Sequence, residues 1–240
     1  MPKNGVEHNL GNIDSKMLQD FQLNNITPEK VTVLASGLRH HDEFYELASD
    51  TLGVLNPVRE MEYRRKKSHY IGGEHRTFSE SPDTNILLAY ESVNWTDSEM
   101  PTFAVMHTLF GSATGFSTGG PGKGMLNRAN NDILRQKFYM NDCESINLHF
   151  TDSGLFGLNF TGSSSYCKDI LLDMLAVFEK FQRKIDETEL NRAKNILKRT
   201  ILVNLSNQMD RLEEVGRTVY YFLSYSSTIY IKASMLFKII

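Results

Sequence analysis

The sequence predicts an α+β fold, an antiparallel sheet with helices packed on it. Two observations carry this. Strand-like runs at 145–150 and 153–160 flank Thr151-Asp152; a hairpin of that kind argues against a wholly parallel sheet. Apolar residues then recur at i, i+3, i+4 and i+7 across 166–183 (Cys167, Ile170, Leu171, Met174, Leu175, Phe178, Phe181), the spacing of an amphipathic helix that lays one face on such a sheet. A length of 240 residues allows one to two domains, at about 150 residues each. A 40% hydrophobic content supplies a sizeable core.

The elements follow in order. Asp14 and Ser15 start a short helix whose Met17, Leu18 and Phe21 share one face. After Thr27-Pro28-Glu29, the β-branched run V-T-V-L-A-S-G at 31–37 predicts a buried strand ending in glycine. His40 and His41 are polar residues at the start of the next helix, where Asp42 and Glu43 suit the positive end of the dipole. Phe44, Leu47, Ala48 and Leu52 form its stripe, and Gly53 stands at its C-terminal cap. Residues 56–67, with Pro57 and the cluster Arg64-Arg65-Lys66-Lys67, predict a linker or exposed strand with a solvated charged face. N-I-L-L-A-Y-E-S-V (85–93) suits a strand with one buried face. Met100, Phe103, Ala104, Met106, His107 and Phe110 mark a helix, and another is expected to begin near Met125. In the hairpin that follows, Ile146, Leu148 and Phe150 alternate with polar residues. Asp186 and Glu189 resemble a capping box opening a long helix with Leu190, Ala193, Leu197, Ile201 and Leu205.

Composition removes several classes of function. Twenty-six basic against twenty-nine acidic residues, net −3, lack the basic footprint that nucleic acid requires. Cys143 and Cys167 are the chain's two cysteines, too few for a disulfide framework or a four-cysteine zinc site, and both are expected as buried small hydrophobes. The first ten residues have neither the apolar core of a secretory signal nor an Arg-rich transit face, and by themselves predict a cytoplasmic chain. The uncharged run after Arg217 is shorter than a bilayer span.

The stretch most open to function is G-S-A-T-G-F-S-T-G-G-P-G-K-G-M at 111–125. Six of the chain's sixteen glycines fall in 111–124, which leaves backbone N–H and C=O groups accessible to a ligand. Pro121 and the embedded Phe116 argue against a mere spacer. A phosphate-cradling loop needs G-x-x-x-x-G-K-[ST]; aligned on Gly122-Lys123, Ser117 stands at the first glycine position and Gly124 at the hydroxyl position. A zinc peptidase needs H-x-x-E-H or H-E-x-x-H; His40-His41-Asp42-Glu43 begins as H-x-x-E, but Phe44 occupies the second ligand's place. No metal site and no nucleophilic triad are expected.

F-S-T-G-G-P-G-K-G-M (116–125) resembles the glycine-rich loop of the non-catalytic α subunits of mitochondrial processing peptidases, within the pitrilysin-type metallopeptidase family. Further matches run in the same order: N-I-T-P-E-K-V-T-V-L-A-S-G (25–37), Y-I-G-G (70–73), L-L-A-Y-E-S (87–92), E-L-N-R-A-K (189–194), V-N-L (203–205) and E-E-V-G-R (213–217). The resemblance implies a pitrilysin-type α+β layer fold, the end of a first domain (1–55), a linker (56–67), most of a second domain (68–218) holding the loop, and a divergent tail (219–240). It implies that Gly111, Gly115, Phe116, Gly119, Gly120, Pro121, Gly122, Lys123, Gly124 and Met125 bind the presequences of imported precursors. Phe116 and Met125 would receive the apolar face of an amphipathic presequence, and Lys123 would order the loop through carbonyls.

It further implies a catalytic β subunit as heterodimer partner, which carries the zinc, no cofactor in this chain, and a mitochondrial location, in the matrix or on the matrix side of the inner membrane. The alternative is a structural core subunit of the respiratory cytochrome bc complex, with its subunits as partners. Glu213 and Glu214 match an acidic pair that could meet presequence arginines; as a plain structural feature they would favour a helix start. Ser112, Ala113 and Thr114 replace family glycines and should stiffen the loop's beginning. The tail from Tyr220 is expected to be the product of a truncated or shifted reading frame.

Overall fold

A computed structural model describes residues 5–26, 31–53, 66–114, 126–183 and 185–219. Within them the chain forms two compact units: the residues up to Lys66 together with those from Leu212 on, and Lys67–Arg211.

The first unit is helical among its described residues. Helix α1 (Glu7–Leu10) precedes α2 (Ser15–Asn25), whose Asp14 side chain accepts the Met17 N–H at 2.7 Å. Helix α3 (His41–Leu52) starts after His40, with Asp42 and Glu43 in its first turn, and Gly53 N–H closes it on the Ser49 carbonyl. The strand expected at 31–37 is absent: 31–40 is irregular, with Val33 and Leu34 exposed. A β-branched run becomes a strand only by joining a ladder, and the described residues of this unit contain no strand to pair with. Leu34 lies instead against Gly216, where a Cβ would stand 2.5 Å from Leu34 Cδ1.

The second unit is built on a four-stranded antiparallel sheet in the order β1-β4-β3-β2: β1 (Asp83–Ser92), β2 (Ser112–Thr114), β3 (Met140–His149) and β4 (Gly154–Ser163). The predicted hairpin is β3–β4, closed by Phe150 N–H on the Ser153 carbonyl at 2.8 Å. Phe156, Leu158 and Phe160 of β4 define the core face. Register places Ile86, Leu88 and Tyr90 of β1, and Cys143, Ser145 and Asn147 of β3, on that same face.

The alternation read at Ile146, Leu148 and Phe150 is thus real, but the structure turns it the other way. Leu148 is 47% and Phe150 46% exposed, because pairing Cys143 with Phe160 and Ser145 with Leu158 commits the odd-numbered residues of β3 inward. A strand's period of two fixes which residues share a face, not which face is covered. Strand β1 lies at an edge, and its inward residues are only half buried.

Helix α4 (Met100–Phe110), with Pro101 at its start, and helix α5 (Cys167–Phe181) cover the core face. Phe103 meets Phe156 at 5.7 Å between ring centroids, and Phe110 stacks on Phe160 at 6.0 Å. Helix α5 buries Ile170, Met174 and Val177, while Leu171, Leu175 and Cys167 of the expected stripe are exposed. The stripe is narrower than the sequence pattern because only one line of the helix reaches β4 and β1. Cys143 is buried as expected, its Sγ 3.1 Å from the Ala129 carbonyl.

Helix α6 (Glu187–Ser206) opens at Asp186, whose carboxylate accepts from Thr188 N–H (3.0 Å) and Glu189 N–H (3.3 Å), and packs beside α4 with Ala193 buried. Helix α7 (Gln208–Thr218) contains Glu213 and Glu214 past its first turn, and both reach Arg217 of the same helix. They therefore do not mark a helix start. No helix among the described residues is long and apolar enough to cross a membrane.

Candidate functional site: the stems of the glycine-rich loop

Of the proposed loop residues, Gly111 is described; Gly115, Phe116, Gly119, Gly120, Pro121, Gly122, Lys123, Gly124 and Met125 lie outside the described residues. The segments on either side of them are built in detail.

The first stem leaves α4 at Gly111, whose N–H caps the helix on the His107 carbonyl at 2.7 Å. Gly111 has φ +71°, ψ −151°, a region that disfavours side chains. A Cβ there would also collide with the side chain of Asn127. Strand β2 follows, with Ser112, Ala113 and Thr114 opposite Glu144, Cys143 and Asp142. Ser112, Ala113 and Thr114 thus hold a short ladder, the physical form of the stiffening expected from residues other than glycine.

Ser145 locks this stem from beneath. It is 5% exposed, its N–H donates to the Gly111 carbonyl (3.1 Å), and its Oγ lies 2.8 Å from His107 Nδ1 and 3.1 Å from the His107 carbonyl. Desolvation of the imidazole holds its pKa below the ordinary histidine value, with the Glu144 carboxylate pulling the other way.

The second stem starts at Leu126, whose carbonyl accepts from Arg192 Nη2 at 3.1 Å. The helix expected near Met125 is instead a π-helical turn, Ala129–Leu134, docked into the core through Ala129 and Ile133. Asn127 joins the stems: its Nδ2 donates to the Ser112 carbonyl at 2.9 Å, and its Oδ1 accepts the Asn130 N–H at 2.9 Å.

Arg128 anchors the second stem to α6 by a two-pronged pair, Nε to Glu189 Oε1 at 2.7 Å and Nη2 to Oε2 at 2.9 Å, with side chains 13% and 21% exposed. The guanidinium also lies 5.3 Å from the Phe181 ring centroid. Hydrogen bonding to Arg128 holds the Glu189 carboxyl below its usual range, and the same bonds raise Arg128. The capping-box pattern located Glu189 but not its task. Its N–H is the group that Asp186 caps, while its carboxylate crosses to Arg128, 61 residues earlier.

Chemically the site is a braced backbone platform. No group of three or more His, Cys, Asp or Glu that could hold a metal ion is found among the described residues.

A family model for the peptidase M16 inactive domain matches residues 12–197, most of the chain. The chain belongs to the peptidase M16 family. Relatives within it include the mitochondrial-processing peptidase subunit alpha of Solanum tuberosum, 32% identical over 218 residues, covering 88% of this chain and 42% of that protein. The subunit of the same name from Neurospora crassa is 34% identical over 171 residues, 64% of this chain and 29% of that protein. The human subunit is 25% identical over 226 residues, covering 88% of this chain and 43% of that protein. The chain thus spans less than half the length of these curated relatives. The likeness to α subunits that the loop motif suggested is borne out.

Among solved structures, a chain of complex III2 from Candida albicans superposes with a TM-score of 0.76 at 17% identity, covering 99% of this chain and 55% of that one. A protease from Helicobacter pylori does so at 0.71 and 16%, covering 90% and 51%. Together with the family model, these two likenesses bear out the M16-type α+β fold.

Proposed function

We propose that this M16 chain is the substrate-recognising, non-catalytic α subunit of a mitochondrial processing peptidase. In this reading the loop 111–125 holds the presequence of an imported precursor, and a β subunit supplies the zinc and the hydrolytic chemistry. The observation that carries it is the 32% identity to a processing-peptidase α subunit over 88% of the chain. The loop stems support it. A glycine at positive φ, a short ladder and the Asn127 bridge present the two ends of the loop from a braced base, as preorganised recognition of a peptide requires. Phe116 and Met125 supply apolar contacts to an amphipathic presequence, Lys123 orders loop carbonyls, and the protein works in the mitochondrion.

The test is affinity isolation from mitochondria with a chelator-sensitive presequence cleavage assay. A co-purifying partner bearing H-x-x-E-H together with cleavage supports the proposal; absence of both removes it. The variant Phe116→Ala/Lys123→Ala should weaken presequence binding by about tenfold, the scale of losing one or two anchoring contacts, while the heterodimer persists. Unchanged affinity in a fluorescence titration would remove the loop from the site.

A second reading is a structural core subunit of the cytochrome bc complex, favoured by the superposition on a complex III2 chain. Cytochrome subunits in the eluate without cleavage would select it.

A further inference from the structure

A pocket of about 290 Å³ opens beside Leu126, on the far stem of the loop. Arg128, Lys180, Arg183 and Arg192 line it against Asp132 and Glu189, four positive charges against two negative. Both carboxylates are engaged: Glu189 with Arg128, and Asp132 with Lys180 at 3.1 Å. Arg183 reaches away to Glu179, at 2.6 Å, in a pair whose side chains are 71% and 64% exposed. Such a pair is weak in water and leaves the guanidinium able to turn. Arg192 Nη2 donates one hydrogen bond to the Leu126 carbonyl. Arg128 is occupied by Glu189, which takes both its Nε and its Nη2, and its Nη1 is buried out of reach of the pocket.

We infer that this pocket is a binding site for a compact oxyanion, a carboxylate or a phosphate, held by the guanidinium groups of Arg183 and Arg192. Planar guanidinium forks match the paired oxygens of both anions. An oxyanion would offset the surplus positive charge of the lining. The two sources are a free anion and an acidic side chain of a bound peptide. The inference does not rest on presequence binding, since a basic presequence is repelled by this lining.

The experiment is thermal unfolding of the full chain against inorganic phosphate, with sodium chloride at matched ionic strength as control. A ligand of the folded state raises the melting temperature in a saturable way. Wild type should show saturable stabilisation by phosphate beyond chloride. In Arg183→Gln/Arg192→Gln the apparent Kd should rise by about tenfold, the scale of losing charge-assisted bonds. Arg183→Gln alone changes an exposed side chain and reads the same shift, in smaller degree, should the double variant fold poorly. Equal stabilisation by chloride, or an unchanged Kd in both variants, overturns the site. A short glutamate-containing peptide, titrated with and without phosphate, separates the sources. Competition assigns the pocket to a peptide carboxylate, and phosphate binding without peptide binding assigns it to a free anion.

Discussion

Asn127 Nδ2 donates to the Ser112 carbonyl at 2.9 Å, so one amide side chain fastens the segment that follows the glycine-rich loop to the residue just after its first glycine. The same side chain occupies the space that a Cβ on Gly111 would need. Two requirements on two distant residues are therefore one: Gly111 is small and left-handed so that Asn127 can reach across.

Asn127→Ala removes both the Ser112 bond and the acceptor for Asn130 N–H. The expected loss is about 1–2 kcal/mol, the scale of a helix cap together with a tertiary bond. Gly111→Ala should lose about 1–3 kcal/mol through strained φ and displacement of Asn127. Urea midpoints at constant slope check both. The double variant should be less destabilised than the sum, because each substitution disrupts the same contact.

Glu189 reports on the second stem through pH. Its folded pKa lies below the ordinary 4.5, chiefly because Arg128 bonds the carboxylate. The stabilisation is therefore fully present above that ordinary value, and is lost as pH falls through the folded value. Glu189→Gln should lose about 2–3 kcal/mol near neutral pH, less than a fully buried pair would because both partners retain some solvent. Its stability should fall less steeply than wild type's below pH 4.5. Coincident curves for the two proteins would show that the pair contributes nothing.

His107 gives a second, separate pH window. Desolvation lowers its folded pKa below 6.5, so the unfolded chain takes up the proton first. Stability is unaffected above that value and declines as pH falls from it toward the folded pKa. His107→Gln should flatten this part of the stability curve. Ser145→Ala should lose about 1–2 kcal/mol by stripping the buried hydroxyl from His107 and the Gly111 carbonyl. Chemical denaturation at closely spaced pH values resolves both effects.

The two thiols should differ in reactivity. Burial pushes the Cys143 thiol up to about 12, while Cys167 is exposed. The thiolate is the reactive form, so a maleimide at pH 8 should label Cys167 in the native protein and Cys143 only on unfolding. Peptide mapping by mass spectrometry counts the sites. Native labelling of Cys143 would show that β3 opens locally.

The elements predicted best depend on neighbours in sequence: the Asp14 and Asp186 caps, the helices α4 and α6 as elements, though Ile201 of the expected α6 stripe is exposed, and the hairpin between His149 and Gly154. Where prediction failed, the deciding partner lies far along the chain or is missing among the described residues. Residues 31–37 have strand composition but no ladder to join among the described residues, and Leu148 and Phe150 alternate correctly yet face outward. Strand β2 was hidden because Ser112-Ala113-Thr114 is only three residues long and gains its structure from β3.

The candidate site divides along the same line. The sequence by itself determined the α+β class and the family-like glycine-rich loop, because local dihedral preferences and apolar periods are written into consecutive residues. Only the tertiary structure decided that Ser145 sits beneath His107, that Glu189 leaves its capping pattern for Arg128, and that Arg128, Lys180, Arg183 and Arg192 share one pocket. Those relationships join residues 38 and 61 positions apart. They form only once desolvation by the packed core makes unpaired polar groups costly enough to select one partner among many.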